Sequence, residues 1–299
     1  MLRQVLLRFR AFPSNNSTAI AKEKPAFGRA FFVLSCINMQ FSLIFARSKE
    51  NEFGMSENLV IIPTYKEKEN IEKIIRYVFN LPMAFDILII DDNSPDGTAD
   101  IVKTLMTEFG DRLFMIQRSG KLGLGTAYIT GFKWALERDY QYVFEMDADF
   151  SHNPDDLARL HDACANGADL AVGSRYKTGV NVVNWPMGRV LMSYYASAYV
   201  RFITRMQVRD TTAGFVCYTR KVLETIDLDR IKFVGYAFQI EMKYTAWKLG
   251  FKIEEVPIIF TDRREGQSKM SKGIFKEAVF GVLNLRWRGM TGKIKPRKV

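Results

Sequence analysis

Short apolar runs alternate with helical patterns along residues 55–285. Leu59-Val60-Ile61-Ile62 is a β-branched run ending at Pro63, the signature of a buried strand. Residues 67–80 place Ile71, Ile74, Ile75 and Val78 at helical spacing, with Pro82 just beyond, so a helix is expected there. Ile87 to Ile90 is the next strand, Asp96-Gly97 a turn, and 98–109 a helix. Leu113 to Ile116, a helix over 124–138, and Tyr142 to Met146 continue the alternation. Asn153-Pro154-Asp155 reads as a helix start, since Asn suits the N-cap and Pro the first turn. Leu170 to Val172 is a fifth strand. Alternation at this period builds βαβ units, so the fold class is α/β: a mostly parallel central sheet with helices on both faces. No Gly/Ser/Pro linker and no repeat interrupts 55–285, which is read as one domain.

In such sheets ligands bind outside the carboxyl ends of the strands. Four polar segments stand at those ends: Pro63 to Glu67, Asp91 to Ser94, Asp147 to Asp149, and Gly173 to Arg175. They are expected to converge on one edge.

Composition narrows the classes. The chain has 299 residues, 47% apolar and 25% charged, which excludes a disordered tail protein and a disulfide scaffold. After residue 54 no apolar run reaches the ~20 residues of a membrane span. The net charge is +10, with +5 in residues 1–54, +6 in 286–299 and −1 in the body between them. A nucleic-acid binder usually carries its basic face on the folded domain, so no nucleic-acid partner is expected. Basic ends suit an anionic membrane surface or simple solvation. Cys36, Cys164 and Cys217 are scattered and form no CxxC pair, which fits a reducing compartment. His152 and His161 are the only histidines, too few for a His/Cys zinc site.

Residues 1–54 differ from the rest. Arg3, Arg8 and Arg10 precede the first acid, Glu23, and Ala30 to Ala46 is mostly apolar but broken by Ser35, Asn38, Gln40 and Ser42. Three readings compete: a signal anchor if 30–46 insert, a basic targeting peptide, or an extension outside the functional fold. The extension is the expectation, because Met55 stands just before the first strand. The basic segment 286–299 is expected to be a separate tail.

Asp147-Ala148-Asp149 ends an apolar strand, and residues i and i+2 of a continuing strand share one side. Two carboxylates ~4 Å apart repel by about 4 kcal/mol at an effective dielectric near 20. A shared proton, a basic partner or a divalent cation must offset this, and all-oxygen ligation suits Mg²⁺ or Mn²⁺. At the end of the second strand, Asp91 or Asp92 is placed to accept from a ribose hydroxyl or a base N–H. Gly123-Leu124-Gly125 fails the dinucleotide pattern, because Tyr128 stands where a glycine is needed and the segment follows the third strand. It is read as a tight turn where backbone approaches a ligand or another helix. Arg263, Arg264 and Lys269 gather around Gly266, a usual grip on phosphates. Gln239 and Glu241 are placed on or near the start of a helix, where they could line the same cleft, with core and cap roles explaining most of that segment. His152 reads as a hydrogen bonder behind the aspartates. Tyr194, Tyr195 and Tyr199 read as packing.

PTYKEKEN, DDNSPDGT, KLGLGTAY, MDADFSHNP, GSRY, DTTAGF, GYAFQIEM and FTDRREGQSKMS occur in this order. Over about 55–285 the chain thereby resembles the dolichyl/polyprenyl-phosphate β-D-mannosyltransferases, family-2 glycosyltransferases with the Rossmann-like GT-A fold. The resemblance implies inverting transfer of mannose from GDP-mannose to a polyprenyl phosphate lipid, by an enzyme peripheral to the cytoplasmic side of a membrane. It implies that Pro63, Tyr65, Glu67, Ile90 and Asp92 contact the guanosine part of the donor. Asp147 and Asp149 would hold the metal, with Ala148 against the nucleotide. Arg175, Arg263 and Lys269 would meet the donor diphosphate and the acceptor phosphate, with Asp149, Arg263 and Lys269 acting in catalysis. Some relatives carry a metal-binding Gln where Ser151 stands. The rival within the class is a polyprenyl-phosphate glucosyltransferase using UDP-glucose. A non-catalytic sugar-nucleotide sensor is the rival outside it, and the intact Asp147 and Asp149 argue against it.

Overall fold

The computed structural model describes residues 56–235, 237–262 and 272–297. β1 (Asn58–Thr64) and β2 (Asp86–Asp91) are neighbouring interior strands of a seven-stranded sheet. Both are apolar on both faces, as strands covered by helices on each side must be. Val60 and Ile62 of β1 point into one core, and Leu59 and Ile61 into the other.

The first core takes α1 (Ile71–Phe79), α2 (Thr98–Phe109) and α4 (Asp156–Ala165). The second takes α3 (Leu124–Leu136), α6 (Arg220–Thr225) and α7 (Ala237–Lys248). α1 buries Ile71, Ile74, Ile75 and Val78 at the spacing read from sequence, each contributing roughly 1.5–3 kcal/mol. It starts four residues later than expected. Residues 66–68 are first tied down, with backbone N–H groups donating to Ser94 Oγ, Thr98 Oγ1 and an Asp96 carboxylate oxygen. Lys66 takes a positive φ of 60°, so the helix can begin only after that turn.

The remaining strands are β3 (Leu113–Gln117), β4 (Tyr142–Glu145), β5 (Leu170–Ser174), β7 (Val216–Thr219) and β8 (Ile253–Pro257). Sheet order is β3-β2-β1-β4-β7-β5-β8. β7 runs antiparallel to β4 and β5, and every other pairing in this sheet is parallel. β2 and β4 follow β1 on opposite sides, so strand order reverses there and opens a crevice at the carboxyl ends. A small parallel pair, β6 (Val182–Val183) and β9 (Phe260–Thr261), stands apart from the main sheet.

α5 (Met187–Thr204) and α8 (Lys272–Met290) pack together through Val200, Val282 and Leu285. The basic segment from 286 is not a separate tail, at least as far as Arg297. Residues 286–290 complete α8, Pro296 bridges Ile226, and the Arg297 N–H donates to Thr225 O at 2.7 Å. Gly289 makes this seat close, since a Cβ there would lie 2.2 Å from the Tyr244 hydroxyl.

Candidate functional site

The carboxyl ends of β1, β2 and β3 form one side of the crevice. Asp91 is wholly buried and turns inward: it accepts from Thr64 Oγ1 at 3.0 Å, Ser94 N–H at 3.0 Å and Ser94 Oγ at 2.6 Å. The second acid at the end of β2, Asp92, pairs instead across to β3. Arg118, just beyond β3, donates Nε to Asp92 Oδ1 at 2.6 Å and Nη1 to Thr126 Oγ1 at 2.7 Å. Tyr65 and Glu67 are partly exposed beside it, with Lys121 5.0 Å from the Tyr65 ring centre. Pro63 is half-buried, and Ile90 is fully buried beneath. The Gly123–Gly125 turn lies close against the chain before α7: the Gly125 N–H donates to Val234 O at 2.8 Å, and a Cβ on Gly125 would lie 2.7 Å from Phe233 O.

On the other side of the crevice, β4 stops at Glu145, so Asp147 and Asp149 do not lie on a continuing strand as expected. They belong to a turn. Asp149 Oδ1 accepts from Ser151 N–H at 3.0 Å, and Phe150 adopts φ 57°, which reverses the chain. Ala148 is buried and Asp147 is partly exposed. His152 is buried against Phe215 with ring centres 4.9 Å apart, and burial pushes its pKa down to about 4. It is neutral, with Nδ1 3.5 Å from the Asp147 N–H, so it supports the turn from behind.

Among the described residues no group of three His, Cys, Asp or Glu forms a metal cage. Two carboxylates at a strand end still fit Mg²⁺ or Mn²⁺, which bind through one or two carboxylates with substrate phosphates and water completing the shell. Ser151 Oγ is buried without a hydrogen-bond partner beside that turn.

Arg175 is buried and locked. Its Nε and Nη2 fork onto Asp210 at 2.7 and 2.6 Å, and Nη2 also meets Thr212 Oγ1 at 2.9 Å. Asp147 is among the carboxylates that hold the guanidinium charged, after Asp210. β9 brings the chain back to the aspartates: the Thr261 N–H donates to Ser151 O at 3.2 Å, and Arg189 pairs with Asp262 at 2.9 Å. The loop that follows, with Arg263 and Lys269, lies outside the described residues.

A family model described as glycosyl transferase family 2 matches residues 59–227, more than half of the chain, including the aspartate turn and the ends of β1, β2 and β3. The chain belongs to that family. Polyprenol monophosphomannose synthase of Mycolicibacterium smegmatis is 47% identical over 231 residues, covering 77% of this chain and 87% of that protein. Undecaprenyl-phosphate mannosyltransferase of Micrococcus luteus is 43% identical over 240 residues, covering 79% and 98%. Glucosyl-3-phosphoglycerate synthase from Mycobacterium tuberculosis, solved with Mn²⁺, UDP-glucose and glycerol 3-phosphate, superposes with a TM-score of 0.54 at 17% identity, over 78% of this chain and 80% of that one. That likeness bears on the fold, and the α/β architecture expected from sequence is met.

Two side chains at this crevice were given no role from sequence. Arg118 has the same signal as the residues that were, a polar group just after a strand. Asp210 opens the DTTAGF motif, but a loop before an antiparallel strand does not show that it pairs with Arg175. Glu241 has no place in the crevice: it accepts from the N–H groups of Lys232 and Phe233 at 2.7 and 2.9 Å and pairs with Arg288. Of the three tyrosines expected to pack, Tyr199 lies against the α5–α8 core and Tyr194 meets Tyr176 edge-on with ring centres 5.6 Å apart, while Tyr195 is largely exposed. Met187, Leu191, Tyr195 and Phe202 form a solvent-facing stripe along α5, 47–70% exposed. Phe280, Leu283, Trp287 and Met290 form a second one on α8, 46–63% exposed. No helix among the described residues is long and apolar enough to cross a membrane.

Proposed function

We propose that this chain transfers mannose from GDP-mannose to a polyprenyl phosphate with inversion, giving polyprenyl-phosphate β-mannose and GDP. One observation carries the reading: identity of 43–47% to two polyprenyl-phosphate mannosyl enzymes, across nearly their whole length. The geometry is compatible with it. A phosphate monoester has a second pKa near 6, so the acceptor is largely dianionic at neutral pH and needs no strong base. His152, neutral and turned to the backbone, fits a site without one. An acceptor phosphate oxygen attacks the anomeric carbon as the bond to the GDP oxygen breaks on the opposite face. Charge on the leaving diphosphate must then be neutralised.

Asp147 and Asp149 would hold Mg²⁺ or Mn²⁺, which supplies that charge when bound. Arg263 and Lys269 would add to it, and Arg175 would hold the neighbouring loop while facing the phosphates. Pro63, Tyr65, Glu67, Ile90, Asp92 and Ala148 would form the nucleotide side. The transferase domain would begin near Met55.

The α5 and α8 stripes are the surface we assign to the membrane, on its cytoplasmic side. Arg201, Arg205 and Arg286 come from the same helices and their ends, and basic residues near an anionic surface contribute about 1 kcal/mol each. The test is incubation with GDP-mannose or UDP-glucose, a polyprenyl phosphate and Mg²⁺, reading the lipid product. A mannolipid from GDP-mannose alone is expected. A glucolipid from UDP-glucose would overturn the donor assignment in favour of the glucosyl enzyme.

A further inference from the structure

α7 carries a lysine that the chemistry above does not use. Lys243 is fully buried, the one lysine in the core among the described residues. A lysine is almost never sealed inside a protein without partners, because its ammonium must leave water. Here every ammonium proton is used: Nζ donates to Ala213 O at 2.6 Å, to Gln239 Oε1 at 3.1 Å and to Gln239 O at 3.2 Å. Gln239 and Lys243 are four residues apart, so they stand on one face of the helix. Gln239 Nε2 in turn donates to Glu145 Oε2 at 2.7 Å.

These bonds reach two segments of the crevice. Ala213 ends the stretch 210–213, in which Asp210 and Thr212 grip the Arg175 guanidinium, and the Ala213 N–H points back to Asp210 O at 3.5 Å. Glu145 is the last residue of β4, two before Asp147. Residues 210–215 are irregular backbone, so their place is set by what holds them. Glu255 accepts the Asp210 N–H at 2.9 Å at one end, and Lys243 takes the Ala213 carbonyl at the other. A hydrogen bond from an ammonium is roughly twice as strong as a neutral one. The clamped guanidinium is itself near the aspartate turn: it lies 5.5 Å from the Phe260 ring centre, and that ring is 5.4 Å from His152.

We propose that Lys243 is a positioning residue for Arg175: by tethering Ala213 O from α7, its ammonium fixes the loop that clamps the guanidinium, and through Gln239 and Glu145 it sets that loop against the strand leading into the aspartate turn. The inference rests on the reading of Arg175 as a residue facing the phosphates. An apolar residue at 243 would suit a helix face buried on all sides. It would leave Ala213 O and Gln239 without their donor, and the loop without its hold from α7.

Lys243→Met keeps most of the apolar stem and removes the ammonium. Its kcat, measured below its melting transition, should fall about tenfold or more, since ~1 Å of misplacement can cost about 100-fold in rate. Lys243→Gln, uncharged and shorter, should fall in the same direction, and the outcomes below apply to it where the methionine variant does not fold. Leu223→Ala is the companion, a cavity in the second core on α6, which follows β7 while the 210–215 loop precedes it. It should lower the melting temperature and keep wild-type kcat. Arg175→Lys retains the charge but loses the fork, and it should cost less kcat in Lys243→Met than in wild type, because the guanidinium is already displaced there. Rates are taken on whichever sugar nucleotide wild type uses, so a wrong donor assignment leaves this outcome to be judged by itself. Wild-type kcat in Lys243→Met overturns the proposal. So does an equal cost of Arg175→Lys in both backgrounds. A kcat loss in Leu223→Ala as large as in Lys243→Met overturns it too, because lost stability would then account for both. If Arg175→Lys leaves wild-type kcat unchanged, the reading of Arg175 fails first and this inference falls with it.

Discussion

Arg118 and Asp92 form an ion pair at the crevice edge, both side chains almost fully buried, and it joins the ends of β3 and β2. The guanidinium also reaches Thr126 Oγ1 and the Gly123 carbonyl, so one side chain ties the donor edge to the start of α3. The pair engages Oδ1 of Asp92 and fixes the direction of its second oxygen.

Arg118→Ala is therefore expected to weaken GDP binding. A hydrogen bond to a charged group is typically worth 1.5–3 kcal/mol, so the loss should be about 10- to 150-fold in Kd. Arg118→Lys should recover little, because an ammonium cannot span Asp92, Thr126 and Gly123 from one fork. Calorimetry with GDP decides this, and near-native affinity in both variants would remove Asp92 from the nucleotide side.

What could be read from sequence follows from how local each signal is. β1 and β2 announce themselves, since four consecutive β-branched or leucine residues in a buried parallel strand need no context. α1 does too, through its single apolar face. α7 does not: its first ten residues, 237–246, are all buried, so no period separates an inner from an outer face. The antiparallel insertion of β7 between β4 and β5 is a fact of topology that a four-residue run does not contain. The aspartate turn was found because its chemistry sits in three adjacent residues. Arg175–Asp210 was missed because its partners are 35 residues apart and meet only once the sheet has formed.

Asp149→Asn should nearly abolish transfer while leaving the fold intact. The carboxamide can still accept from the Ser151 N–H, so the turn keeps its hydrogen bond. What is lost is an anionic ligand to the cation that neutralises the leaving group. Turnover above about a tenth of wild type at saturating metal, a barrier change of only ~1.4 kcal/mol, would remove Asp149 from the metal site.

Charge placed on the exposed stripes should release the enzyme from membranes without harming the crevice. Phe202→Glu on α5 and Trp287→Glu on α8 each replace an apolar side chain that could bury roughly 1.5–3 kcal/mol in a lipid surface. Sedimentation with anionic vesicles should fall for each and fall further with both, and raising salt should weaken what remains. Turnover on a short, water-soluble acceptor phosphate should not change. Unaltered vesicle binding in the double variant would detach these helices from the membrane.

The last expectation concerns Arg175 and Asp210. Asp210 accepts the Arg175 N–H at 2.9 Å as well as its forked guanidinium, and both residues are buried. Removing one partner of such a pair strands the other charge, at a cost of about 3–5 kcal/mol. Asp210→Asn should therefore lower stability by about that much at neutral pH, while Arg175→Ala with Asp210→Asn together should lose less than the sum of the single changes. The pH dependence has a definite sign. Burial raises the Asp210 pKa, but Arg175 more than offsets this and holds it below the ordinary 3.8. The carboxylate's contribution is therefore fully present above that ordinary value and is lost only as pH falls through the lower, folded one. Denaturant titrations of wild type and Asp210→Asn should stay separated down to about pH 4 and converge only below it. Curves that converge between pH 5 and 7 would mean that Asp210 is protonated in the folded enzyme, and then Arg175 would be free to meet a phosphate without giving up a partner.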